Sequence, residues 1–177
     1  MPVAPRSRKA NIAWAIVLLA CALAACWPRY AFVTWRDERI RLAIPREVGV
    51  GDAVWVYSDI GLFSACAAAV YELTPETLAR LRAAGLRALT ESMATHSRVT
   101  GRPIPGGWQA TPYVSPDGAS RGEDLWAYAL GCTPLDGRLR ETVDAALYGP
   151  GAYFRLLDKA AVLVAPAAGI VMYVSLD

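Results

Sequence analysis

The chain has 177 residues, of which 55% are hydrophobic and 19% charged, with a formal net charge of +2. That balance excludes a chain that is disordered throughout. Three of the 18 basic residues, Arg6, Arg8 and Lys9, precede a long apolar run, which leaves 15 against 16 acidic residues. A nearly neutral remainder carries no electrostatic footprint for nucleic acid.

No charged residue occurs from Ala10 to Pro28. As a helix, nineteen residues at about 1.5 Å each reach roughly 28 Å, close to a bilayer's hydrocarbon core. Ile12, Trp14, Leu18, Leu19, Leu23 and Trp27 are the expected anchor residues, with Trp14 at one end and Trp27 and Tyr30 at the other as interfacial aromatics. The spacing therefore predicts a basic tail over 1–9, a membrane helix over 10–28 and a short connector over 29–38. An extracytoplasmic domain over 39–177 follows. Positive charge ahead of the apolar run places the domain outside the cytoplasm, in the periplasm or beyond the cell.

Two other readings of this segment stay open. Leu23-Ala24-Ala25-Cys26 resembles the bacterial lipobox, in which cleavage before the Cys is coupled to lipid attachment there. Trp27, directly after it, departs from the small or polar residue common at that position. The remaining reading is an ordinary signal peptide cleaved near the same alanines.

About 140 residues remain, which suits one domain with its own core. Arg39 to Ile44 alternates and predicts a strand with Ile40, Leu42 and Ile44 on one face. Arg36, Arg39 and Arg41 form its solvated side or meet anionic lipid. Gly49 to Asp52 predicts a turn, Ala53 to Tyr57 a strand and Cys66 to Leu73 a central strand. Thr74-Pro75-Glu76 opens a helix. Leu78, Leu81, Leu89 and Met93 share its apolar face, with Gly85 packed closely against a sheet. The region from Val99 to Arg121 is a Gly- and Pro-rich loop.

Leu125 to Gly131 predicts a strand, and Thr133-Pro134 a second helix reaching Tyr148, with Leu139, Val143 and Leu147 on one face. Tyr153 to Leu157 is ambiguous. Ala161 to Val164 and Ile170 to Leu176 predict a terminal hairpin. The fold class expected is α+β: one N-terminal membrane helix, then a small domain whose mostly antiparallel sheet carries two main helices.

Four groups are candidates for chemistry. Cys66 and Cys132, an even pair in an exported domain, point to a disulfide, with two inert buried thiols as the other reading. His96, the chain's single histidine, is the one residue on which a triad could be built, although a His at a polar helix end ordinarily serves the helix dipole. Glu123, Asp124, Asp136 and Glu141 read as helix caps and strand ends. Trp108 and Tyr113 sit in the loop and either form a binding surface or fold back to seal the core.

No metal or cofactor is expected. The expected function is that of a non-catalytic bacterial envelope interaction protein tethered to the membrane. Its expected partners are the membrane and another envelope protein or an envelope polymer. The alternative is a hydrolase or thiol enzyme using His96, Cys66 or Cys132.

Overall fold

The structure is a computed structural model and describes residues 8–60, 65–90, 107–114, 125–157 and 159–176. Contacts divide the chain into a unit ending at Arg39 and a second unit, Ile40–Asp177.

Helix α1 (Arg8–Ala43) does not stop at Pro28 but continues through the stretch expected to be a connector. The expected membrane helix is corrected here. Among the described residues no helix is long and apolar enough to cross a membrane. Further along, the helix carries Arg36, Asp37, Glu38 and Arg39, and the Arg39 guanidinium lies 5.3 Å from the centre of the Trp35 ring.

The strand expected at Arg39 to Ile44 is the end of this helix. Ile40 and Ile44 are both buried, and the Ile44 amide donates to the Ile40 carbonyl at 3.2 Å. Leu42 would join them on a strand face, yet it is 36% exposed. Burial four residues apart is the helical period, and a six-residue stretch had too few apolar positions to distinguish it from alternation.

In the second unit, the described strands form one six-stranded sheet. They are β1 (Val50–Ile60), β2 (Ala65–Leu73), β3 (Gln109–Ala110), β4 (Tyr153–Leu157), β5 (Ala160–Ala165) and β6 (Ile170–Leu176). Their order is β1-β2-β6-β5-β4-β3, and every pairing is antiparallel. The unit is thus an α+β domain. Three neighbouring pairs are sequential hairpins, and β6 returns to lie beside β2.

Both faces of the sheet are covered. On one, α4 (Leu125–Cys132) and α5 (Gly137–Tyr148) meet Ala68, Val70, Leu163, Met172 and Val174. On the other, the end of α1, α2 (Pro75–Ala84) and α3 (Arg87–Thr90) meet Ala69, Tyr71, Val162, Val164 and Val171. Every residue of β5 is buried, which explains a strand written AAVLVA rather than as an alternation. The layer on the second face includes the helix end expected as a strand.

Three further stretches differ from expectation. The stretch from Leu125 is helical, with Trp126, Ala129 and Leu130 buried at helical spacing and Ala127 and Tyr128 exposed. A short apolar run fits either period, and here burial at i, i+3 and i+4 decides it. Gly85 does not lie inside a long packed helix. It ends α2 at φ +56°, ψ −134°, its amide donating to the Leu81 carbonyl. Met93 lies outside the described residues. Thr74 caps α2 as expected, accepting from the Thr77 amide at 3.4 Å. The second helix opens at Asp136 instead of Thr133: Asp136 accepts from the Leu139 amide at 2.7 Å, while the Thr133 hydroxyl donates back to the Ala129 carbonyl.

Cys66, near the start of β2, and Cys132, the last residue of α4, hold their sulfurs at disulfide distance, with Cα atoms 6.5 Å apart. The pair closes a stretch of 66 residues, and in the chain-entropy model such closure stabilises by about 4 kcal/mol. Replacing both cysteines with serine should lower the unfolding free energy by about 2–4 kcal/mol, read by urea denaturation. A second test concerns Gly85, where an added Cβ would lie 3.2 Å from the Tyr153 hydroxyl and adopt a backbone conformation costly for other residues. Gly85→Ala should cost about 1–3 kcal/mol in the same measurement.

Candidate functional site

The segment from Gly107 to Val114 runs along the outer side of β4. Gln109 and Ala110 pair with Phe154 and Tyr153 as the two residues of β3. Thr111 then continues the attachment: its amide donates to the Ala152 carbonyl at 3.0 Å and its hydroxyl accepts from the Ala152 amide at 3.0 Å. The Thr111–Pro112 peptide is cis. The Tyr113 amide donates to the Leu147 carbonyl at 2.8 Å, which ties the segment to α5.

Both aromatic residues expected in this loop are buried. Trp108 is 6% exposed, and its Nε1–H donates to Glu47 Oε1 at 2.9 Å. Tyr113 meets Phe154 edge to face, with ring centres 5.3 Å apart. The two rings serve opposite faces of the sheet: Trp108 joins the cluster under α2, and Tyr113 the one under α4 and α5.

Glu47 also accepts from Arg155 Nη1 at 3.3 Å, and both side chains are nearly inaccessible to solvent. The Arg80 guanidinium donates to the Glu47 main-chain carbonyl. Burial pushes the Arg155 guanidinium below its ordinary value, while the Glu47 carboxylate acts in the opposite direction. Sequence reasoning missed this pair. Its signal was Arg155 itself, a charge inside the otherwise apolar strand YFRLL.

Against this sealed interior, the outer side of the segment is open. Gln109, Ala110, Pro112 and Val114 border a groove of about 290 Å³. Tyr113, Phe154 and Leu156 complete it. Val114 is 76% exposed and Leu156 37%, so apolar side chains line an accessible concavity. The pairing of β3 with β4, the hydrogen bonds of Thr111 and Tyr113 and the Tyr113–Phe154 ring contact hold its walls, which favours a preformed site. Comparison with known proteins finds no matching family model, no similar curated protein and no similar solved structure.

The other expected site residues lie apart. Trp14, Leu18, Leu19 and Trp27 are exposed on α1, and Cys21 is an exposed free thiol. The side chains of Ile12, Leu23 and Cys26 lie outside the described ones, as do His96, Glu123 and Asp124. Cys66 and Cys132 are joined to each other, so in this form neither offers a free thiol. Asp136 is occupied as a helix cap. Among the described residues no group of three or more His, Cys, Asp or Glu could hold a metal ion.

The buried pair gives a thermodynamic test. Arg155→Met strands the Glu47 carboxylate and should cost about 3–5 kcal/mol, whereas Glu47→Gln combined with Arg155→Met should recover a large part of that loss. Urea denaturation of the two variants reads the difference. Equal losses would show that the ionic contact is not what the region relies on.

Proposed function

We propose that this chain is a non-catalytic interaction protein of a bacterial cell envelope, exported and then held at a membrane by lipid on Cys26. Its domain docks an apolar segment of another envelope protein in the groove beside β3 and β4. The observation that carries the binding reading is the groove itself, in which Val114 stands 76% exposed on a wall fixed by the main chain at Thr111 and Tyr113. Exposed apolar side chains gathered in a rigid concavity are the usual anchor points of a binding surface.

Two facts support export. A disulfide between Cys66 and Cys132 suits an oxidising compartment. The N-terminal region combines Arg6, Arg8 and Lys9 with an apolar run that ends at Leu23-Ala24-Ala25-Cys26. A signal peptide needs an apolar centre of only about 7–15 residues, shorter than a span. Its removal on processing would also dispose of the exposed Trp14, Ile16, Leu18 and Leu19. In a lipid-anchored chain, intact mass spectrometry should find Cys26 as the first residue, carrying the mass of attached acyl chains. An unprocessed N-terminus would overturn the anchor.

For the groove, a photoreactive amino acid at Gln109 should crosslink a discrete envelope protein in living cells. Val114→Asp and Leu156→Asp should abolish that adduct while changing the unfolding free energy by no more than about 0.5 kcal/mol, as suits exposed positions. A stable double variant with an unchanged adduct would refute docking at this surface.

A further inference from the structure

We propose that the Cys66–Cys132 bond is a thiol-exchange site which the folded domain opens from one side, with a dithiol as its co-reactant. The two sulfurs have different surroundings. Cys66 is 5% exposed on β2, in a stretch paired on one side with Asp59 and on the other with Leu176. Cys132 ends α4, is only part-buried and borders a cleft of about 360 Å³ together with Ala127, Tyr128 and Gly131. Ala127, Tyr128 and Gly131 are exposed. A thiolate must reach the sulfur it attacks, so the way in through this cleft leads to Cys132 and not to Cys66.

The incoming thiolate forms a bond to the Cys132 sulfur and the Cys66–Cys132 bond breaks. The electron pair leaves on Cys66, which takes up a proton. Cys66 is still held by its strand partners close to Cys132, with Cα atoms 6.5 Å apart. Against a monothiol it therefore recovers Cys132 and expels the attacker. A dithiol ends differently: its second thiolate attacks its own first sulfur, and Cys132 leaves and is protonated. The co-reactant is oxidised to a disulfide, and the chain is reduced to two thiols.

Both thiols have a place in the fold. The Ala129 carbonyl oxygen lies 3.2 Å from the Cys132 sulfur and can accept from the S–H that reduction creates. A neutral Cys66 thiol behaves as a small apolar side chain, which suits a buried strand position. Trp126, Ala129 and Leu130 pack in the apolar cluster independently of the bond. Reduction thus releases the C-terminal end of α4 from β2 and leaves the sheet intact, which makes the bond a redox switch on that helix end.

Glutathione and dithiothreitol, applied to the full chain without denaturant, test this. After acid quenching and alkylation with N-ethylmaleimide, peptide mass spectrometry should find glutathione on Cys132 at least about ten-fold above Cys66. Dithiothreitol should instead leave both cysteines alkylated, with the far-UV circular dichroism unchanged. At Gly131 an added Cβ meets no atom within 4 Å. Gly131→Leu therefore adds bulk beside the cleft and should slow both reactions several-fold in a folded chain. Glutathione on Cys66 as often as on Cys132 would overturn the proposal. So would a bond that resists both reagents until urea unfolds the chain, or exchange in folded Gly131→Leu at the original rate. Should that variant fold poorly, the adduct map of the unsubstituted chain decides alone.

Discussion

The second unit is organised around the carboxylate of Glu47. It accepts hydrogen bonds from Trp108 and Arg155, residues 61 and 108 positions further along the chain. A charge so nearly excluded from solvent is strongly unfavourable unless it is met. The segment after α1, the start of the aromatic loop and the middle of β4 are therefore placed by a single requirement. Ile44 and Val48 bury beside Glu47, each 1% exposed, which fixes how the end of α1 meets the sheet. Arg80 brings α2 to the same point through the Glu47 carbonyl. Trp108 in turn sets where the loop leaves the interior and comes out along the groove.

The opposite face depends on a different kind of constraint. There the contacts are apolar, with Trp126, Ala129 and Leu130 of α4 and Val143 and Leu147 of α5 against β5 and β6. Ala68 on β2 and Ala161 on β5 leave room for helices to approach closely. The Cys66–Cys132 link joins the end of α4 to the start of β2 on this face. Packing of that sort tolerates a slide of the helix along the sheet more readily than a directional ion pair does. A covalent tie at the helix end removes that freedom.

What the sequence made legible follows from how local each signal is. The terminal hairpin, β2 and the cap at Thr74 were readable because strand composition, turn residues and a Thr-Pro-Glu start act over a few positions. Ile40 to Ile44 and Leu125 to Gly131 were misread because both are too short to separate a period of 2 from one of 3.6. Helices on both faces could not be inferred once one of those elements had been assigned to the sheet. The Glu47–Arg155 pair was out of reach for another reason: 108 residues separate its partners, and only Arg155 stands out in its own strand. Trp108 and Tyr113 were expected either to form a binding surface or to fold back and seal the core, and both rings are buried. The exposed residues are the less conspicuous Val114 and Leu156.

The sheet separates the proposed groove from the outer strand at its other side. Five strand spacings of about 4.8 Å put β1 and β3 roughly 24 Å apart. Of the strands between them, β5 is buried along its whole length, while β4 exposes Leu156. At that distance substitutions at the two edges should act independently unless a rearrangement of the whole sheet links them. A short β3 followed by Pro112 gives a partner little main chain to pair with, so recognition at the proposed groove would come from its side chains.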